Sequence, residues 1–215
     1  MSEKDYLHLM MLCLAVCHTI IIDEKKGTYN AASPDDLALV NFAKQFGFEF
    51  MGKDIDDNVL INEYHIDPVT QAKGSKRHEH KFELLHVCEF NSTRKRMSVV
   101  MKTSTGKIML YCKGADSIIT ELLCAESLNG EIKKKSDEYV TEYALVGLRT
   151  LFVAQKEVSQ DFYDKWIAEV HNAKNLIEGR DEEVSRVDGL IETEMELIGS
   201  TAIEDRLQDK VADTI

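Results

Sequence analysis

Proline is nearly absent from this sequence, with two among 215 residues. So few breaks leave no expectation of long structureless linkers. Positive charge is also scarce: 26 Lys and Arg stand against 38 Asp and Glu, a formal net charge of −12. That balance excludes broad binding to nucleic acid or to an anionic membrane, which needs a cationic surface. Long apolar runs are missing too. The most apolar stretch, residues 9–16, has about eight residues against the roughly 20 needed to cross a bilayer. No basic segment precedes it and no small-residue cleavage site follows, so it does not read as a signal peptide and the chain reads as soluble. The five cysteines (Cys13, Cys17, Cys88, Cys112 and Cys124) are odd in number and show no framework spacing. They read as reduced thiols of a cytosolic protein. Cys13, Cys17 and His18 lack an evident fourth ligand and read as one buried helix face rather than a metal site. His78 and His80 read as part of a solvated loop.

Reaction motifs are absent as well. Gly106-Lys107 is followed by Ile108 and no phosphate-binding loop precedes it. There is no kinase-type Gly-rich loop and no Ser nucleophile elbow. No catalytic residue and no resident metal ligand is therefore assigned. What is present is 44% hydrophobic residues, enough for one core.

The most informative stretch is residues 89–100, where Phe90 stands ahead of Arg94, Lys95 and Arg96 and a β-rich run follows. Lys113-Gly114-Ala115-Asp116 comes soon after. An aromatic face beside fixed cations suits a flat base carrying a polyphosphate: stacking is worth roughly 1–3 kcal/mol per base, and cations meet phosphates. By chemistry alone, an ordinary solvated hairpin explains the same residues.

Periodicity organises the rest. Residues 5–17 read as a helix and 19–22 as a short strand. Ser33-Pro34-Asp35-Asp36 reads as a helix start, with an N-cap, a proline in the first turn and two acids against the macrodipole. Strands are expected at 46–51 and 59–65, and a polar loop at 67–80. Three further strands at 82–90, 97–103 and 107–112, joined by short turns, predict an antiparallel meander. That meander gathers Phe90, Lys95, Met97 and Lys113 at one sheet edge. Helices are expected at 115–125, 133–148, 160–179 and 182–197, with a strand at 150–158. Phe162, Trp166, Val170 and Leu176 form the expected buried stripe of the third of these helices. The last two helices are read as acidic outside and without chemistry. Arg149 reads either as a helix-end cation or as a planar phosphate clamp.

Read as whole strings, these stretches resemble the nucleotide-binding domain of P-type ATPases. Phe90-Asn91-Ser92-Thr93-Arg94-Lys95-Arg96-Met97-Ser98-Val99 is similar to that family's adenine-binding hairpin, in the form of its phospholipid-flippase branch. Lys113-Gly114-Ala115 matches a signature shared across the pumps, and the added Asp116 is typical of flippases. Residues 14–19 look like the flippase entry into the domain. Ser33-Pro34-Asp35-Asp36 resembles a signature ending in Glu, whose acid reaches the adenine amino group. Asp36 is one methylene shorter, so its contact is direct or through a water. Residues 199–209 resemble the return strand and hinge toward the phosphorylation domain. The family's phosphorylated Asp-Lys-Thr-Gly-Thr string is not present.

The resemblance implies an α+β fold, a twisted antiparallel sheet of about six or seven strands with packed helices. It implies one nucleotide-binding domain over residues 1–215, with 199–215 as the hinge region. The implied ligand is ATP, with Mg²⁺ brought mainly by the nucleotide and by the phosphorylation domain. Phe90 would stack on adenine, Asp36 accept from its amino group, Met97 form an apolar wall, and Lys95, Lys113 and Gly114 close the pocket. Arg149 would meet the β-phosphate region. The implied parent is an ATP-driven phospholipid flippase of a eukaryotic plasma membrane or endomembrane, with this domain in the cytoplasm. Its partners would be the phosphorylation, actuator and membrane domains, a small membrane subunit and the phospholipid substrate, but no nucleic acid. Two rivals stand beside it: the same domain of a cation pump, and a module that no longer binds nucleotide and serves as an interaction surface.

Overall fold

The fold is that of a computed structural model, which describes residues 3–23, 27–67 and 69–204. Helix α1 (Glu3–Val16) comes first, then a small hairpin of β1 (Ile21–Asp23) and β2 (Thr28–Asn30). The strand starts two residues later than expected because His18 turns the chain. Its Nδ1 accepts from the Ile20 N–H at 3.1 Å, and its Nε2 donates to the Ala15 carbonyl at 2.8 Å. Helix α2 (Pro34–Gln45) begins as the sequence suggests, with Ser33 Oγ accepting from the Asp36 N–H at 3.3 Å.

Seven strands then form one curled antiparallel sheet. They are β3 (Phe48–Lys53), β4 (Asn58–Ile66), β5 (Lys73–Cys88), β6 (Arg96–Thr103), β7 (Ile108–Gly114), β8 (Arg149–Val158) and β9 (Glu196–Ile203), and each lies beside its neighbours in sequence. Between β7 and β8 run α3 (Asp116–Glu121), α4 (Ala125–Leu128) and α5 (Glu131–Leu145); between β8 and β9 run α6 (Gln160–Lys174) and α7 (Arg180–Ile191). The expected α+β architecture is therefore present.

Helices cover both faces. Leu14, Val16 and Val40 of α1 and α2 pack on Ile61, Met97, Val99 and Met101. On the other face Ile119, Val140, Trp166, Val170 and Ile191 pack on Val100, Leu110, Cys112 and Phe152. Side chains alternate across β6 and β7, so each strand serves both cores. Among the described residues no helix is long and apolar enough to cross a membrane.

Four expectations need correction. Residues 73–80 are not loop but the first half of β5, paired with β4 from Ile66↔Lys73 to Ile61↔His80. They are mostly solvated, so no apolar alternation marks them as strand; the backbone ladder does the work. The helix expected over 115–125 stops at Glu121, because Leu123 bridges to Met195 and the Cys124 N–H donates to the Met195 carbonyl at 2.9 Å. Helix α7 ends at Ile191 rather than at 197, and Leu197 instead pairs with Ala154 in the sheet. Helix α6 ends at Lys174, five residues before the expected end; Trp166 and Val170 are buried, while Phe162 and Leu176 are exposed. The part of the expected hinge region at 205–215 lies outside the described residues.

Candidate functional site

Strands β5, β6 and β7 end together, and the meander carries Phe90, Lys95, Met97 and Lys113 to that end. It is the end of three central strands rather than an edge of the sheet, whose edges are β3 and β9. Met97 lies directly opposite Lys113, and Arg96 opposite Gly114. The connecting loop is built on Asn91. Its Oδ1 accepts from the Thr93 and Arg94 N–H groups at 3.1 and 2.7 Å, and its carbonyl accepts from the Lys95 N–H at 2.8 Å. Lys95 is held in the left-handed region at φ 52°, a conformation that costs a non-glycine residue energy and needs this support. Its carbonyl accepts from the Ala115 N–H at 3.0 Å. A Cβ at Gly114 would stand 2.5 Å from Arg96 Cβ and 2.8 Å from the Lys95 carbonyl oxygen, so only glycine lets the strands close here.

The positions singled out in the sequence have different surroundings. Phe90 is 64% exposed. It lines a cleft of about 600 Å³ with Glu89, Arg94, Lys174, Arg180 and Asp181, on the α7 side of the sheet. Lys113 is 5% exposed and lies on the α2 side, its Nζ 2.7 Å from Asp36 Oδ1. Arg149, at the start of β8, reaches the neighbouring acid: its guanidinium is 3.3 Å from Asp35 Oδ1. Two cations of the strand end thus meet the two acids of the α2 cap. Met97 is buried in the core beside Lys113, and Lys95 is exposed.

Arg94 and Arg96, expected beside Lys95 as phosphate-facing cations, are engaged elsewhere. Glu192, fully buried one residue past α7, accepts from Arg94, from Arg96 Nε at 2.6 Å and from Ser98 Oγ. Asp188 takes Arg94 at 3.3 Å and His86 at 3.0 Å. These two acids are functional neighbours of the hairpin that sequence reasoning missed, since α7 was read as acidic only outside. A signal was available: Asp188 and Glu192 stand four apart, flanked by the core residues Val187 and Ile191. Acids in the apolar stripe of a helix demand partners.

Burial pushes the Cys17 thiol up to about 12, and its Sγ donates to the Met97 and Tyr111 carbonyls at 3.7 and 3.6 Å. Cys13, Cys88 and Cys112 are likewise raised by burial. These are protonated core thiols, not nucleophiles. The strand end presents an exposed aromatic ring and exposed cations, and among the described residues no nucleophile–base pair stands there.

Residues 6–210 match the family model described as P-type ATPase, cytoplasmic domain N. A phospholipid-transporting ATPase of Schizosaccharomyces pombe is 39% identical over 218 residues, covering 100% of this chain and 16% of the relative. A phospholipid-transporting ATPase of Chaetomium thermophilum is 38% identical, covering 100% of this chain and 13% of its own length. The mouse phospholipid-transporting ATPase 11C is 38% identical, covering 100% and 18% respectively. The chain thus spans less than a fifth of the length of these relatives. With the meander, the capped α2 and the Lys113 strand end all in place across the matched residues, the chain belongs to the family of P-type ATPase cytoplasmic N domains.

Proposed function

We propose that this chain is a single nucleotide-binding domain that takes ATP at the end of β5, β6 and β7 and presents its γ-phosphate to a phosphorylatable aspartate of a neighbouring domain. The parent would be an ATP-driven phospholipid flippase, a reading supported by its phospholipid-transporting ATPase relatives. One observation carries the reading: the Phe90 ring is left in solvent two residues past β5, whose own phenylalanine, Phe82, is packed in the core. An unpacked phenyl ring costs hydration free energy unless something stacks on it.

The donor set stands around one strand end, Phe90 on its α7 side and Lys113 with Asp36 on its α2 side, so the ligand would span that end. Phe90 supplies a stacking face for adenine, while Lys95 and Arg149 supply exposed cations for the phosphates. Lys113 and Asp36 form a buried polar pair with a hydrogen-bonding edge, Met97 backs the pair as apolar wall, and Gly114 lets the strands close under it. Mg²⁺ would arrive with the nucleotide, and the family's phosphorylation domain would supply most of its ligands. When bound, ATP supplies the transferable phosphoryl group; the chain's own residues bind, orient and hold it. Residues 199–215 would act as the hinge. Around the domain we place the phosphorylation, actuator and membrane parts of the pump, a small membrane subunit and the phospholipid, with this domain on the cytoplasmic side of a eukaryotic membrane.

The test is an ATP titration of the chain followed by backbone amide NMR, with and without Mg²⁺. Saturable shifts centred on Phe90, Lys113 and Arg149 are expected, with affinity on the order of 0.1–1 mM, or about −4 to −5.5 kcal/mol. No saturation by several millimolar would leave the interaction-module reading in front.

A further inference from the structure

A second set of polar side chains converges away from the strand end. His8 comes from α1, Glu63 from β4 and His80 from β5. The Nε2 atoms of both imidazoles approach the same carboxylate oxygen, Glu63 Oε2, at 3.2 Å from His8 and 3.0 Å from His80. All three donor atoms lie within 4.8 Å of one another. In a tetrahedral zinc centre, metal–ligand bonds of about 2.0–2.2 Å hold ligand atoms roughly 3.3–3.5 Å apart. The triangle is close to that size already, and small side-chain rotations complete it.

The rings are held in place by packing. His8 meets Phe48 edge-on at 5.0 Å, and His80 stacks against Phe48 at 6.4 Å and Phe82 at 6.3 Å. Both phenylalanines are buried in the core under α1. Glu63 is itself mostly covered, whereas His8 keeps an open side toward solvent through which an ion could enter. Preorientation of imidazoles by a packed apolar shell is what a metal site needs beyond the ligands themselves. Two imidazole nitrogens and one carboxylate oxygen suit Zn²⁺ and related transition ions; Mg²⁺ prefers oxygen ligands in an octahedron.

We propose that His8, Glu63 and His80 bind one zinc-class divalent ion, with the fourth position open to water, and that the ion fastens α1 to the β4–β5 hairpin. This site is independent of the nucleotide reading. Without an ion, the same groups simply share hydrogen bonds on one carboxylate, so the two states can be told apart by binding.

The chain is titrated with zinc chloride by calorimetry in a non-chelating buffer, and with Co²⁺ by visible absorption. One equivalent is expected to bind with micromolar or tighter affinity, to give tetrahedral Co²⁺ bands that Zn²⁺ displaces, and to resist millimolar Mg²⁺. Loss of a ligand should weaken binding by at least the ~10–100-fold seen for outer partners. This applies to both His8→Gln and His80→Gln. His8 sits on an open helix face, so its variant keeps the fold even if the His80 variant does not. The imidazole nitrogen shifts of His8 and His80 in the parent chain give a readout that needs no substitution. No saturation below millimolar Zn²⁺, or equal binding by His8→Gln, overturns the proposal.

Discussion

Lys113 and Asp36 form a buried ion pair at 2.7 Å, closing 77 residues of chain between the cap of α2 and the end of β7. A lone buried ammonium is expensive, so removing the acid alone should hurt more than removing both groups. Asp36→Ala is expected to cost about 3 kcal/mol in urea unfolding, and Asp36→Ala with Lys113→Met clearly less. A single variant within experimental error of the parent chain would show that the pair is solvated in practice.

Phe90 separates binding from stability. Because its ring is in solvent, Phe90→Ala should change unfolding free energy by no more than about 0.5 kcal/mol. ATP affinity should fall by roughly 1–3 kcal/mol, the stacking term. If the variant binds ATP as tightly as the parent chain, the stacking assignment is wrong.

Glu192 is the opposite kind of residue. It never reaches solvent, yet it ties Arg94, Arg96 and Ser98 beneath the hairpin. Glu192→Gln preserves volume, takes its carboxylate from Arg96 and leaves Arg94 with Asp188, a loss expected near ~3 kcal/mol. Hydrogen exchange at the Arg94 and Lys95 amides should accelerate, since the loop loses its underside. Unchanged exchange at those two amides would mean that Asn91 alone holds the loop.

His18 gives the fold a pH dependence. Both ring nitrogens serve the neutral form, with Nδ1 accepting from Ile20. Burial first, and then the Lys113 charge, lower its pKa from 6.5 to about 4, while the hydrogen bond to the Ala15 carbonyl and then Asp36 oppose. The unfolded chain takes up the proton near the ordinary value and the folded chain resists it. The contribution is therefore full above about pH 6.5, shrinks as pH falls, and is gone near pH 4, up to about 3 kcal/mol in all. Urea midpoints at about pH 7 and pH 5 should differ less in His18→Gln than in the parent chain. Equal slopes would remove His18 from the account.

The sequence made the meander from β5 to β7 legible because short polar turns separate runs with β-branched and apolar alternation. The α2 cap was legible for the same reason: Ser33, Pro34 and two acids act within one turn. The first half of β5 was not, because residues 73–80 are solvated and leave no apolar trace. The fates of Arg94 and Arg96 were also hidden, since their partners on α7 and just past it lie 91 or more residues away. The His8, Glu63 and His80 cluster had no local signature at all: its members come from three elements and meet only after the sheet has formed.

The strand order also bears on how the chain is made. Every strand of the large sheet pairs with its sequence neighbours, so contact order is low for a β-rich fold and hairpins can add one after another. As the chain leaves a ribosome, β3 to β7 can zip in the order of synthesis. The first helix settles in two stages: Leu14 and Val16 have their partners once β4 and β6 are in place, but its N-terminal turns wait for more. Tyr6 of α1 donates to Glu196 at 3.1 Å, a partner 190 residues downstream on β9. The β9-facing side of α1 is thus covered only once β9 has joined the sheet, so within this chain the full docking of its first helix is a late event.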